Sequence, residues 1–344
     1  MKAVRIHEHG GIEKLKYEEA PEPKIRPDEV LVQVKSCALN HIDIWVRNGL
    51  PGIQVPFPHI LGSDISGIVA EAGEAVRNVK RGDPILVSPG VSCGHCQDCL
   101  SGRDNDCREY QLLGAYKLDG GYAEYVKVPG VNAIIKPESL NFDEAASIPL
   151  VFITAWHMLV TQAQLKAGED ILVLAGGSGV GSAGIQIAKL LGARVIATAS
   201  SDEKLEKAKA LRADDLVNYS KTDFVQEVKR LTNKKGVDVV FEHTGQETWE
   251  KSLLCLARRG RIVTCGATTG FEAKTDLRYL YSKNIVLYGS YMASKGDLFK
   301  ILEFFEKGRL RPVVDQVYPL KEAGEAHRKM EERKQFGKLV LRVE

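Results

Sequence analysis

Ile171-Leu172-Val173-Leu174-Ala175-Gly176-Gly177-Ser178-Gly179-Val180-Gly181 is the stretch from which the rest of the chain can be read. An apolar run of strand length enters a glycine-rich turn. Beyond it, Ile185, Ile187, Ala188 and Leu191 mark a helix over 183–191. Glycines at such a turn allow a sharp reversal and let the backbone approach a pyrophosphate. The following helix end offers free N–H groups and a positive dipole end. Ser178 stands where the middle glycine of a GxGxxG turn would fall. A glycine motif alone is weak evidence, but one set between a strand and a helix is much stronger. Gly176, Gly177, Ser178, Gly179, Val180 and Gly181 are therefore the candidate dinucleotide contacts.

Working outward, short apolar strands alternate with amphipathic helices. Strands are expected at 171–174, 194–197, 237–241, 260–264 and 285–288, with a charged helix at 204–211. This alternation predicts an α/β fold whose doubly wound parallel sheet is covered on both faces. Residues 1–150 read differently. Apolar runs at 30–34, 65–70 and 84–87 are punctuated by Pro51-Gly52, Gly82-Asp83-Pro84 and Pro89-Gly90, the pattern of a β-rich domain. A helical stretch from 142 to 159 joins the two parts. A helix at 298–307 and a strand at 339–343 close the chain, and that tail is expected to return to the first domain.

The 344 residues are enough for two domains. Lys and Arg total 47 against 45 Asp and Glu, so net charge gives no support to nucleic-acid binding. No run of eighteen apolar residues suggests a membrane span. The N-terminus enters a strand-like alternation at once and does not read as a secretion signal, which makes the cytoplasm the default compartment.

An odd number of cysteines, seven, argues against a disulfide framework. Four of them, Cys93, Cys96, Cys99 and Cys107, lie within fifteen residues. Four thiolates on one short lobe suit a tetrahedral Zn²⁺ with every position filled by protein, which is a structural site. One such zinc per chain is expected.

The end of the second strand of the α/β part bears on the choice of cofactor. An Asp or Glu there would bond the ribose 2′-hydroxyl of NAD. Here Ala199 falls at that place, followed by Ser200 and Ser201, with Lys204 and Tyr219 available to a 2′-phosphate. NADP(H) is expected over NAD(H). Ser200 and Ser201 also suit the cap of the next helix.

The cysteine lobe, the nucleotide-binding turn and their order resemble the medium-chain dehydrogenase/reductase superfamily over essentially the whole chain. That superfamily includes zinc alcohol dehydrogenases and quinone oxidoreductases. The resemblance implies a discontinuous GroES-like catalytic domain, 1–150 with 288–344, and an inserted Rossmann domain, 151–287. It implies that Thr154, Thr244 and the Gly266 loop face the cofactor. It also implies a homodimer or homotetramer joined through the edge strand over 285–291.

The departures from the zinc alcohol dehydrogenases are specific. Their catalytic zinc takes a Cys from a motif resembling Cys-His-Thr-Asp, where this chain has Asn40-His41-Ile42-Asp43. The relay Ser or Thr becomes Ile42 and the relay His becomes Trp45. The ligand His of Gly-His-Glu becomes Ser63, and the third ligand falls near Leu150. The resemblance is thus closest to the quinone-oxidoreductase branch, with the structural zinc retained and the catalytic zinc absent. Hydride would pass from the nicotinamide, near Asn40 and Ser63, to a quinone or enone, with Asn40 or Ser63 donating to the oxygen. Two other readings stay open: a zinc alcohol dehydrogenase with unusual ligands drawn from His41, His59, Asp43 and Asp64, and an NADPH-binding protein without turnover.

Overall fold

The computed structural model describes residues 1–52 and 54–344. The chain divides into two compact units, Met1–Leu150 with Ala293–Glu344, and Val151–Met292. The second crossing falls after Met292, later than the sequence suggested. The strand Val286–Gly289 is the reason, because it pairs in parallel with Leu256–Thr264 and so belongs to the nucleotide-binding sheet.

That sheet has six parallel strands in the spatial order Asp215–Asn218, Arg194–Ala199, Asp170–Val173, Val237–Glu242, Leu256–Thr264, Val286–Gly289. Chain order reverses beside Asp170–Val173, and open sheets of this kind bind ligands at that reversal. Ile171, Leu172 and Val173 are all wholly buried, as expected of a strand covered on both faces. The core joins Leu172, Ile196, Val217, Val228, Val240 and Ile262. Each fully buried Val, Leu or Ile contributes about 1.5–3 kcal/mol over its exposed state. Four elements of this unit were not apparent in the sequence, the strand Asp215–Asn218 and the helices Phe224–Leu231, Trp249–Cys255 and Leu277–Lys283. The strand is four residues long with Asp and Asn at its ends, residue types that seldom form strands.

The first unit is built on a seven-stranded sheet. Its long strand Glu29–Ala38 pairs antiparallel with Asp64–Ala72, with Tyr125–Pro129 and with the last strand of the chain, Lys338–Arg342. Val340 lies opposite Ala38 and Leu341 opposite Cys37, so the tail completes the sheet of the first unit.

The helical stretch expected over 142–159 is interrupted. Phe142–Ala146 opens with a reciprocal cap between Asn141 and Glu144, and Pro149–Trp156 follows after a break. Ser147 and Ile148 bond back to Glu144 and Ala145, which closes the first helix, and Pro149 has no N–H to continue it. Among the described residues no helix is long and apolar enough to cross a membrane.

Candidate functional site

The four clustered cysteines converge. Their Sγ atoms all lie within 4.8 Å of one another, and Cys99 Sγ is 3.9 Å from Cys93 and 3.5 Å from Cys96. A tetrahedral zinc with Zn–S bonds of about 2.3 Å places its sulfurs about 3.8 Å apart, so the donor set fits. The backbone N–H groups of His95 and Cys96 draw the Cys93 thiol down to about 7. The Cys99 N–H favours the Cys96 thiolate, yet burial and the neighbouring thiols push that group up to about 11. Crowded thiols of this kind are relieved by a cation that holds all four as thiolates. The short helix Gln97–Leu100 carries Cys99, and its first turn is anchored by the Leu100 N–H bonding to Cys96 O. Among the described residues no second group of three or more His, Cys, Asp or Glu is gathered to hold a metal.

In the second unit, the turn after Asp170–Val173 is held by its own side chain. Ser178 caps the helix Gly179–Leu190 by accepting the Gly181 N–H at 2.9 Å. The serine that displaces the middle glycine therefore has a structural role. The N–H groups of Gly179 and Val180 open the helix and have no acceptor within it, as an anion site requires. A Cβ on Gly181 would lie 2.3 Å from Ala175 O and 2.8 Å from Ser178 Oγ, so only glycine fits. Gly176 and Gly177 are buried beneath the loop, and Gly176 donates to Thr198 O at 2.8 Å.

Thr154 is buried and, among the described residues, its Oγ1 has no hydrogen-bond partner, an orphaned polar atom that a bound ligand would satisfy. Thr244 and Gly266 follow the neighbouring strands Val237–Glu242 and Leu256–Thr264, and both are part-exposed. The sequence did not single out the two residues that set this corner. Glu242 is wholly buried and accepts from Thr244 N (2.6 Å), Gly245 N (3.0 Å), Thr248 Oγ1 and Ser252 Oγ. Burial pushes the His243 imidazole below the usual histidine range. Its Nε2–H donates to Leu174 O at 3.0 Å and braces the strand end before the loop. An acid directly after the apolar run Val239-Val240-Phe241 was a signal available at Glu242.

At the adenosine end, Ala199 ends its strand and Ser200 follows, part-exposed. Ser201 caps the helix Asp202–Ala210 by accepting the Lys204 N–H at 3.3 Å, so its oxygen has a structural role. Tyr219 is exposed and its N–H bonds Ala199 O. Asp202, an acid close to this strand end, is held by Asn218 Nδ2 at 2.6 Å and Lys221 Nζ at 2.5 Å.

In the first unit, Asn40, Asp43 and Asp64 come together with a residue from the far end of the chain. Asn40 Nδ2 donates to Asp64 Oδ2 at 2.9 Å. Lys338 Nζ donates to Leu39 O (2.6 Å), Asn40 Oδ1 (2.5 Å) and Asp64 Oδ2 (2.9 Å). The other Asp64 oxygen accepts the Leu150 N–H at 2.8 Å. Asp43 accepts from Asn40 N and Gly62 N, and burial pushes its carboxyl up to about 7.

Ser63 does not fit the donor role expected of it. It is 0% exposed against 5% for Asn40, and its hydroxyl proton goes to Leu113 O at 2.6 Å. The fallback metal set fits no better. Asp43 and Asp64 spend their oxygens on the bonds just described. Among the described residues His41, His59, Asp43 and Asp64 do not gather into a group of three or more ligands. Cys37 is a packed strand residue whose thiol burial pushes well up.

Two family models match, the alcohol dehydrogenase GroES-like domain over residues 26–138 and the zinc-binding dehydrogenase domain over 179–307. An NAD-dependent alcohol dehydrogenase of Sulfurisphaera tokodaii is 32% identical over 99% of both chains. The chain belongs to the medium-chain dehydrogenase/reductase superfamily. It is an NAD(P)-dependent oxidoreductase of that superfamily, and its four-cysteine cluster fits the structural zinc. Other superfamily relatives span more than one chemistry. A quinone oxidoreductase of Sus scrofa is 29% identical, covering 99% of this chain and 97% of its own. A solved NAD-dependent alcohol dehydrogenase is 49% identical, with a TM-score of 0.97 and full coverage of both chains.

Proposed function

We propose that the chain reduces a quinone, an enone or another activated carbonyl by hydride transfer, without a catalytic metal and with NADP(H) preferred. The observation that carries this is the donor set at the three positions where relatives hold catalytic zinc. Asn40 offers an amide already bonded to Lys338 and Asp64, Ser63 is buried with its proton on Leu113 O, and Leu150 offers no side-chain donor. An open zinc site needs about three such ligands and a free position.

Bound NADPH would supply the hydride to the electron-poor carbon of the acceptor, whose π electrons move to oxygen. The Asn40 amide N–H donates to that oxygen as charge develops. Solvent then supplies the proton. Gly179, Val180 and the helix they open would hold the pyrophosphate, and Thr154 Oγ1, Thr244 and the Gly266 loop would meet the nicotinamide end. Ser200, Lys204 and Tyr219 would receive the 2′-phosphate. The preference rests on the lack of a carboxylate at Ala199 and on the commitment of Asp202 to Asn218 and Lys221. In fluorescence titrations NADPH should bind at least tenfold more tightly than NADH; equal or tighter NADH binding refutes the preference.

The catalytic proposal is tested by zinc analysis of protein purified without added metal, combined with assays on enones, quinones, alcohols and aldehydes. One zinc per chain with enone or quinone turnover is expected, and Asn40→Ala should lower kcat/KM at least tenfold. A second reading draws on the alcohol dehydrogenase names of the relatives. Two zincs per chain with alcohol turnover would replace the first proposal with that one. Tight cofactor binding without turnover on any of these substrates would leave a binding protein.

A further inference from the structure

Lys338 is 3% exposed, and its ammonium lies among three acceptors contributed by two distant parts of the chain. A lysine ammonium has three donors and no acceptor, and the three oxygens around it use all three. This fixes the Asn40 amide. Its oxygen must face Lys338, and its nitrogen must face the Asp64 carboxylate, which only accepts. Of the two Nδ2 hydrogens one goes to Asp64, and among the described residues nothing takes the other. Asp64 is held in turn by the Leu150 N–H.

The lysine is not needed to dock the last strand. Backbone pairing of Lys338–Arg342 with Glu29–Ala38 and Val314–Pro319 does that, aided by the Lys338 N–H on Val313 O. Burying an ammonium and a carboxylate together is costly, and an apolar pair of similar volume stabilises a fold as well or better. The charge at this point therefore calls for another explanation.

We propose that Lys338 is a positioning residue for the reaction, an internal cation that clamps the Asn40 amide so that its remaining N–H is presented to the substrate oxygen. The inference rests on the proposed function and adds to it the group that orients the donor. The Lys338 ammonium is paired with Asp64 and bonds the oxygen side of the amide, which leaves the nitrogen side to meet the substrate. It acts through the amide and not by direct contact.

The test is a double-mutant cycle on the zinc-loaded enzyme, with the best enone or quinone acceptor and NADPH. Lys338→Met should lower kcat at least tenfold while the NADPH Kd and the zinc content stay within twofold of wild type. In an Asn40→Ala background the same change should cost less than twofold, because the amide through which the lysine acts is gone. Lys338→Arg, which keeps the charge but not the single-point geometry, should fall between wild type and Lys338→Met. A tenfold loss that persists in the Asn40→Ala background overturns the proposal, and so does an unchanged kcat in Lys338→Met. If Lys338→Met does not fold, Lys338→Arg decides alone: kcat reduced at least threefold with unchanged NADPH Kd supports the clamp, and unaltered kcat overturns it. Wild-type turnover, measured in the same assay, separates the two claims. Its absence overturns the proposed function and the clamp together, whereas turnover insensitive to Lys338 overturns the clamp alone.

Discussion

Gly181 shows how far a single residue controls this nucleotide site. Its N–H is accepted by Ser178 Oγ, and its α-carbon sits where a methyl group would meet a backbone oxygen at 2.3 Å. Backbone at that distance cannot move aside as a flexible side chain can, so Gly181→Ala should push the helix start off the loop. The expected outcome is a rise of at least tenfold in the NADPH Kd, read by titration, with the zinc of the other unit retained at one per chain. Ala175 in the same turn carries φ +44°, a left-handed conformation costing about 1 kcal/mol for a residue with a Cβ. Ala175→Gly should relieve that strain without loss of binding. The sequence marked this loop because glycines and a helix cap have local meanings. It did not mark Lys338, since a lysine opening a strand reads as a solvated end when its partners lie about three hundred residues away.

At the scale of elements, the helix Ala323–Glu331 meets the helix His41–Asn48 through a buried polar junction. Arg47 is 1% exposed and donates to His327 Nδ1 at 3.0 Å and to the Glu331 carboxylate. An arginine only donates, so His327 Nδ1 accepts, and its Nε2–H donates to Tyr122 Oη at 3.2 Å. Burial, reinforced by Arg47, pushes the His327 pKa down to about 3 from its ordinary 6.5. The unfolded chain takes up this proton below about pH 6.5 and the folded chain does not. Stability is therefore fully present above that pH and drains away as pH falls from 6.5 towards 3. Asp43 has the opposite sign, since its folded value is raised to about 7 and stability falls as pH rises towards it. His327→Gln keeps an acceptor for Arg47 and a donor for Tyr122 but cannot take a proton. Its melting temperature should lie a few degrees below wild type at pH 7 and fall less between pH 6.5 and 4. An equal fall in both proteins would show that His327 does not govern the acid limb.

At the scale of the whole molecule, the parallel sheet ends on Val286–Gly289, a strand that among the described residues is paired on one side only. Val286 and Leu287 are 41% and 39% exposed, and Tyr281 and Tyr291 beside them are exposed as well. A bare apolar edge strand is a liability that proteins cover or pair. We propose that a second copy covers it, giving a homodimer or a tetramer built from such dimers. Light scattering coupled to size exclusion should find at least a dimer, and Leu287→Arg should halve the particle mass while leaving the NADPH Kd unchanged. A monomeric wild-type protein would refute this assembly.

The sequence by itself determined the α/β class, the nucleotide loop at 176–181, the zinc lobe at Cys93, Cys96, Cys99 and Cys107, and the departures at Asn40 and Ser63 from the zinc alcohol dehydrogenases. These are local patterns, in which spacing along the chain stands in for geometry because the contacts span a few residues. The tertiary structure decided which of Asn40 and Ser63 keeps a proton to donate, because that depends on Leu113, Asp64 and Lys338, far away along the chain. It also set the second crossing between the units after Met292, because all of Val286–Gly289 pairs with Leu256–Thr264. Periodicity records which face of an element is buried. What that face is buried against, and which polar groups meet inside, is settled only when the last strand, Lys338–Arg342, docks beside Glu29–Ala38.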